Sequence, residues 1–303
     1  MTMTSATLDL AQLKAMHDDQ PAMISRGYWR TVGARLSRDP VTLCFATVIA
    51  AIVLIALLAP WIAPKDPFKT SMAYRLKPMG FRDFLLGSDE LGRDILSRLI
   101  WGGRTSLLMG LVPVAVALLI GGTLGVVAGY VGGGVNMLIM RLMDLFYAFP
   151  SILLAVAISG AMGGGMVNGM IALSMVFIPP ICRVAESATT QVRGLDFVEA
   201  ARASGGSTGS IIAHHVLGNV LGPVFIYASG LVSVSILIAS GLSFLGLGVE
   251  PPTPDWGLML STLRQAIYVN PWVCALPGLA IFITSLSFNL VSDGLRQAMD
   301  IRM

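Results

Sequence analysis

The residues able to do chemistry are few in this chain, and their spacing does not assemble a catalytic centre. Its three cysteines, Cys44, Cys182 and Cys274, lie far apart in apolar stretches and form no C-x-x-C pair. Neither a zinc site nor a disulfide framework is expected from them. His214 and His215 are adjacent, so they cannot both point to one face of a helix, and they read as interfacial side chains, not ligands. No Ser-His-Asp arrangement stands out. There is no G-x-x-x-x-G-K-[ST], so the chain carries no phosphate-cradling loop of its own. No metal site and no bound cofactor are expected.

Three other groups of residues have informative spacing. Asp89, Arg93, Asp94 and Arg98 alternate in sign at i, i+4 and i+5. They read as a solvated amphipathic helix at a membrane surface, or alternatively as a docking patch (Asp89, Arg93, Asp94) for a partner outside the cell. Arg141 and Asp144, three apart, can share a helix face and form an ion pair at a membrane end. Phe197, Ala200, Ala201 and Ser204 fall at i, i+3, i+4 and i+7, one face of a short helix that Gly205 and Gly206 stop. Two consecutive alanines on a two-turn helix suit close docking into a groove on another protein; a solvated connector is the equal alternative.

The elements that must position these residues are set by composition. Of 303 residues, 55% are hydrophobic and 12% charged, and mean hydropathy is +0.76. A soluble protein of this size cannot hide so much apolar side chain behind so few charges. The chain is therefore an integral membrane protein, all-α and polytopic. Disordered chains, coiled coils, secreted disulfide scaffolds and soluble enzymes are set aside. Val41–Ala63 is uncharged and long enough for a first, retained span after a polar tail of residues 1–40. Residues 64–104 are polar, with eight Lys/Arg and five Asp/Glu. Thr105–Tyr130 is the second span. Leu145–Cys182 is uncharged for 38 residues, nearly two bilayer cores of helix, so it must break at the glycine cluster 160–169. The third span then starts near Asn136 and the fourth runs from about Met166 to Cys182. Pro150 kinks the third. Val216–Val249 is too long for one straight span and bends or ends in a re-entrant piece. Glu250–Gln265, with Pro251, Pro252 and Pro254, is a loop, and Trp272–Val291 is the sixth span. Six spans put both termini on one side.

Lys and Arg accumulate in cytoplasmic loops. The side of the N-terminus holds eleven against nine, and eleven against one once the long 64–104 loop is set aside, which favours the N-terminus inside. Gly121, Gly125 and Gly129 recur every four residues on the second span, where small residues let helix backbones approach; packing inside one bundle is expected. The near absence of titratable groups in the spans weighs against a proton-driven carrier.

Further matches concern longer segments. Glu199-Ala200-Ala201, three residues, then Gly205 resembles the EAA loop of ABC-importer permease subunits. The family pattern continues nine residues later with I-x-L-P, where this chain has His215-Val216-Leu217-Gly218. Leu86–Arg98 (LGSDELGRDILSR) resembles the segment before the second span of dipeptide and oligopeptide permeases. Asp144–Leu154 (DLFYAFPSILL) resembles their third span. Ser243–Gly248 with Pro251-Pro252-Thr253-Pro254 and Trp256-Gly257 resembles their fifth span and the loop after it. Phe288-Asn289-Leu290 with Asp293–Arg296 resembles their C-terminal signature. Over residues 41–301 the chain is identified as a member of the C-type permease subunits of dipeptide/oligopeptide/nickel ABC importers.

That resemblance implies a type I ABC-importer permease fold, with residues 105–296 as its core and a cytoplasmic coupling loop at about 184–215. It implies four partners besides the lipid bilayer: a homologous second permease, two ABC ATPases on the cytoplasmic side, and an extracytoplasmic substrate-binding protein. ATP and Mg belong to the ATPases. Glu199, Ala200, Ala201 and Gly205 would pass their motion to the membrane helices. The resemblance places the chain in a bacterial or archaeal inner membrane, with residues 1–40 and 297–303 cytoplasmic and 64–104 outside. The expected function is half of a translocation pathway for short peptides or peptide-like solutes. Import of nickel or nickel chelates, or of glutathione, opines and similar small conjugates, is the nearest alternative; a stand-alone secondary carrier is the alternative of another class. No nucleic-acid partner is expected, and the substrate-contacting residues are not legible.

Overall fold

The computed structural model describes residues 28–268 and 270–299. Most of the expected N-terminal tail and residues 300–303 of the C-terminal one lie outside these. Among the described residues the structure is helical, with isolated β-bridges at Phe81–Phe84 and Ser88–Asp94. Helix α1 is Tyr28–Leu36, α2 is Pro40–Leu57 and α3 is Ala59–Ile62. An irregular segment then leads to α4, Ile95–Val131. Helices α5 (Gly133–Tyr147) and α6 (Ser151–Met162) follow, and then α7 (Met166–Arg193). The short α8 (Asp196–Ala203) precedes α9 (Thr208–Ile211). A wide turn at Ile212–Val216 joins α9 to α10, Leu217–Phe244. Helices α11 (Trp256–Thr262) and α12 (Pro271–Met299) complete the chain.

Five of these helical segments are long and apolar enough to cross a membrane: α2, α4, α7, α9 through α10, and α12. Helices α5 and α6 together make a sixth span bent by 87°. Pro150 sits at that bend as the cap of α6, where its missing N–H and fixed φ end the preceding helix. The next break falls at Gly163 and Gly165, both with positive φ. Asn168 holds that corner by donating to the carbonyls of Met162, Gly163 and Gly164 at 3.1–3.3 Å.

Helices α4 and α7 make the most extensive pairing in the molecule, and the glycine stripe is its cause. A Cβ placed on Gly121, Gly125 or Gly129 would lie 2.6, 2.3 or 2.6 Å from the carbonyl oxygens of Ile178, Cys182 or Glu186. Packing within one bundle, the expected role, is where the structure puts the stripe. Helix α2 is seated on α12 by a similar approach, Thr42 filling the space over Gly294. Asp39 caps α2, accepting from the Val41 N–H at 3.1 Å. Its hydrogen bonds, chiefly that from the Thr42 hydroxyl, hold its carboxyl below the usual range.

Several boundaries differ from the sequence reading. The second span begins at Ile95, not Thr105, so the irregular segment after the first span ends at 94. Asp94 is the reason: its Oδ2 accepts from the Ser97 N–H at 2.8 Å and starts the helix ten residues early. The fourth span continues to Arg193, well beyond Cys182, carrying its polar end out of the apolar region. Glu250–Gln265 is not a plain loop, since it contains α11, whose Trp256, Gly257, Leu258 and Met259 are buried. Asp144 pairs with Arg183 on α7 instead of Arg141 on its own helix; Arg141 points away and is exposed.

The α4–α7 seam gives a direct test. Gly125→Leu should destabilise the protein by about 3 kcal/mol, because the added side chain meets backbone that cannot move aside. Gly122→Ala, with no atom within 4 Å of its Cβ position, should melt at or above the parent temperature in the same detergent thermal-unfolding assay.

Candidate functional site

The coupling segment is built on the ends of α4, α7 and α10. Helix α8 starts after the extended residue Leu195, with Asp196 and Glu199 in its first turn and Arg202 in its last. That charge order matches the helix dipole. Val198, fully buried, anchors it. Its C-terminus is closed by hydrogen bonds from the Gly205 N–H to the Arg202 carbonyl at 3.0 Å and from the Gly206 N–H to the Ala201 carbonyl at 3.1 Å. This is a Schellman cap, and it needs the left-handed φ of +80° that Gly205 supplies. The Arg202 guanidinium lies 5.8 Å from the Tyr130 ring at the end of α4, and Phe197 packs 6.4 Å from His215 on the wide turn.

The opposite surface is open. Phe197, Glu199, Ala200 and Ser204 are exposed and Ala201 is half-buried. Of the face predicted from the i, i+3, i+4, i+7 spacing, Ala200 and Ser204 point away from the bundle, while Ala201 is half-buried and Phe197 leans on His215. A short helix pinned by one buried valine, with small side chains outward, can carry a push from a partner into α4 and α7. Glu186 on α7 accepts from Asn136 Nδ2 on α5 at 2.7 Å. Arg193 of α7 donates to the Gly129 carbonyl of α4 at 3.4 Å.

The charged segment at the other end of the molecule is not a surface. Asp89, Arg93, Asp94 and Arg98 are each at most 5% exposed, so the expectation of a solvated helix, or of a partner contact through Asp89, Arg93 and Asp94, is corrected. Turns at Gly87 and Gly92, both at positive φ, fold the strip back on itself, so that Asp89 meets both arginines while Asp94 is held by the Ser97 N–H and hydroxyl. Asp89 accepts from Arg93 Nε at 2.6 Å and stands 3.5 Å from Arg98 Nε. Its other oxygen takes the Leu91 and Arg93 N–H groups, each at 2.9 Å. Arg98 Nη1 donates to the carbonyls of Pro67 and Pro252 at 3.0 and 3.3 Å. Burial, and then the neighbouring Asp89 charge, push the Glu90 carboxyl above its usual range.

A second lock lies beside the first. Ser106 donates to Asp255 Oδ1 at 2.7 Å and accepts from the Trp256 N–H at 3.1 Å. The Trp256 indole donates to the Leu99 carbonyl at 2.9 Å, and Asp255 Oδ2 caps α11 by accepting from Leu258 N–H at 3.1 Å. Burial pushes the Asp255 carboxyl above the usual carboxylate range, against the pull of these hydrogen bonds. Arg98, Ser106 and Asp255 were not legible as a unit in the sequence, because the partners are some 150 residues apart.

The third feature is a cavity of about 470 Å³ at the α5–α6 bend, with Tyr147, Pro150, Ser151, Pro179, Pro180 and Tyr227 in its walls. The two prolines of α7 were the available sequence signal for it. Among the described residues no group of three or more His, Cys, Asp or Glu side chains could hold a metal ion.

The chain is thus a helical bundle with a short exposed helix at one end, a bent span and a locked far end. Residues 121–303 match the family model described as the binding-protein-dependent transport system inner membrane component, and residues 27–78 match the N-terminal TM domain of oligopeptide transport permease C. The chain belongs to the binding-protein-dependent transport system inner membrane component family, as its motifs imply. It is 45% identical to the di/tripeptide transport system permease protein of Pseudomonas aeruginosa, over 82% of this chain and 84% of that one. It is 39% identical to the dipeptide transport system permease protein of Alkalihalophilus pseudofirmus, over 94% and 93%. It is 38% identical to the glutathione transport system permease protein of Pectobacterium atrosepticum, over 96% and 95%. The inward-facing methionine ABC transporter MetNI shares the fold, with a TM-score of 0.53 at 18% identity, over 66% of this chain and 95% of that one.

Two substitutions test these assignments. Gly205→Val places a β-branched residue at φ +80°, in open space but in strained backbone. It should lower uptake and uncouple ATP hydrolysis in the assembled importer, while membrane insertion and the melting temperature of the bundle stay near parental values. Arg98→Met should cost about 3 kcal/mol, since it leaves two carbonyls and part of a buried carboxylate without their partner. Limited proteolysis of the 64–94 segment in sealed vesicles of known orientation reads that loss.

Proposed function

We propose that this chain is the half of an ATP-driven importer's pathway that serves short peptides, di- and tripeptides first. The observation that carries the substrate class is the 45% identity to a di/tripeptide permease across more than four-fifths of both chains. A dipeptide permease related over nearly the whole length agrees with it. A second reading, glutathione uptake, is favoured by the relative that covers 96% of this chain; glutathione is itself a tripeptide, so the two differ in detail of ligand. These relatives do not favour the nickel alternative, and membership of a binding-protein-dependent family does not favour a stand-alone carrier.

In this reading the chain works with a homologous second permease, two ABC ATPases and an extracytoplasmic binding protein. ATP and Mg are bound by the ATPases, and this chain performs no hydrolysis. It sits in the inner membrane with α8 and both termini on the cytoplasmic side and the Asp89–Arg98 lock outside. The exposed Glu199 and Ala200, with Ala201 and Gly205 beside them, enter a groove on an ATPase. Closure of the ATPase dimer then moves α4, α7 and the bent span as one body, rocking the pathway from one side to the other.

The test is uptake by the complete transporter, reconstituted with its binding protein in proteoliposomes. Labelled dialanine should accumulate only with internal ATP, and competition should rank di- and tripeptides above glutathione. Accumulation of glutathione without competition by dialanine would move the assignment to the second reading. ATP-independent uptake by the chain alone would overturn both.

A further inference from the structure

A break in a spanning helix leaves backbone polar groups at membrane depth. Such a break is tolerated where protein covers it or where it lines a water-filled cavity. At the 87° bend between α5 and α6 lies a cavity of about 470 Å³, a volume in the range of small-ligand sites. Its polarity is increased from across the gap. Pro179 and Pro180 of α7 have no N–H, so the carbonyls of Met175 and Val176 lose the donors a regular helix would give them.

Charges stand beside this cavity. Asp144 on α5 and Arg183 on α7 are ion-paired, and the guanidinium lies 4.7 Å from the ring centroid of Tyr147, itself a wall of the cavity. The two side chains are 46% and 44% exposed. Asp144 Oδ2 and the remaining N–H groups of Arg183 make no hydrogen bond among the described residues. Ionisable groups within a membrane domain are costly and mark substrate pathways.

We propose that this cavity is a subsite for the termini of a short peptide in transit, with Arg183 receiving the α-carboxylate and Asp144 the α-ammonium. The inference rests on the peptide reading above. The arrangement is neutral in both states. Without substrate the two residues neutralise each other; with a zwitterion between them, each finds an opposite charge on the ligand. Neither state leaves an uncompensated charge. The apolar remainder of the wall, Phe146, Leu154, Val176, Phe177 and Leu231, accepts side chains without selecting among them. Recognition by termini and not by side chain is what a permease handling many peptides requires.

The test uses the complete importer in nanodiscs, without binding protein, so that delivery does not enter. Ser151→Cys reports on the cavity through alkylation by a small thiol reagent, with the same importer lacking that substitution as the background. Free dialanine at millimolar concentration should slow alkylation, and each capped peptide should need about tenfold more for the same effect, the worth of one charge-assisted hydrogen bond. N-acetylated and C-amidated dialanine should protect less. In the Arg183→Gln background the amidated and free peptides should protect equally. In Asp144→Asn the acetylated and free peptides should. Arg183→Lys, which keeps the charge, should retain protection and guards against loss through misfolding. Equal protection by all three peptides, protection unaltered by both neutral variants, or no labelling of Ser151→Cys at all would overturn the subsite. Uptake of dialanine by the unsubstituted importer with its binding protein separates the two claims. Uptake without protection sinks the subsite alone, and absence of uptake sinks the peptide reading itself.

Discussion

A bilayer offers no water to a stray N–H or C=O, so every spanning segment has to satisfy its backbone from within. This constraint shapes the whole chain. It makes the spans helical and pushes irregular backbone to the two ends. It also gives meaning to the 87° bend in one span. Helices α5 and α6 are broken at Pro150, and the freed polar groups face a cavity lined by Tyr147, Ser151 and Tyr227. A defect that would be expelled from a lipid-facing surface is kept beside a cavity.

The rest of the structure makes that broken span movable as part of a body. Glycine–backbone contact between α4 and α7 is too close for either helix to slide independently. On one side Arg98, Ser106 and Asp255 bind the 64–94 segment, α4 and α11 together through buried hydrogen bonds. On the other, α8 is fastened to the same helices through Val198, Arg202 and Phe197. Motion received at α8 has few soft places in which to dissipate. The glycine-rich corners at Gly163–Gly165 and Gly246–Gly248 lie at the far end of the spans, where Gly165 donates to the Gly248 carbonyl at 2.9 Å and Ser159 to that of Leu247 at 2.7 Å.

What could be read from the sequence was what periodicity and composition encode. The spans, the glycine breaks, the kink at Pro150 and the outward face of the 196–203 helix all follow from local spacing, and local spacing is preserved in a helix. The charged strip at Asp89–Arg98 misled for the opposite reason. Its i, i+4 pattern is as good for a helix as for a folded turn, and what decides is two glycines at positive φ together with carbonyl partners near Pro67 and Pro252. Asp144 shows the same limit. The nearest basic residue in sequence is Arg141, yet the helix rotation directs the carboxylate to Arg183 on another span. Helix α4 began early because a hydropathy reading stops at the first charges, whereas Asp94 and Arg98 were helix-starting and buried. The Glu199–Gly205 motif, by contrast, is contiguous on one short helix and its cap, so its helical placement was legible without any tertiary information.

The central claim is that this chain acts as one part of an assembly, receiving force at α8 from proteins it does not contain. Mild-detergent co-purification of the tagged chain from its native membrane, with mass spectrometry of the associated proteins, addresses that claim most directly. The account predicts recovery of a second, homologous permease and one or two kinds of ABC ATPase, with loss of the ATPases when Ala200 and Ala201 are both replaced by bulky residues. Recovery of the chain alone, from a preparation in which other membrane complexes stay intact, would contradict it.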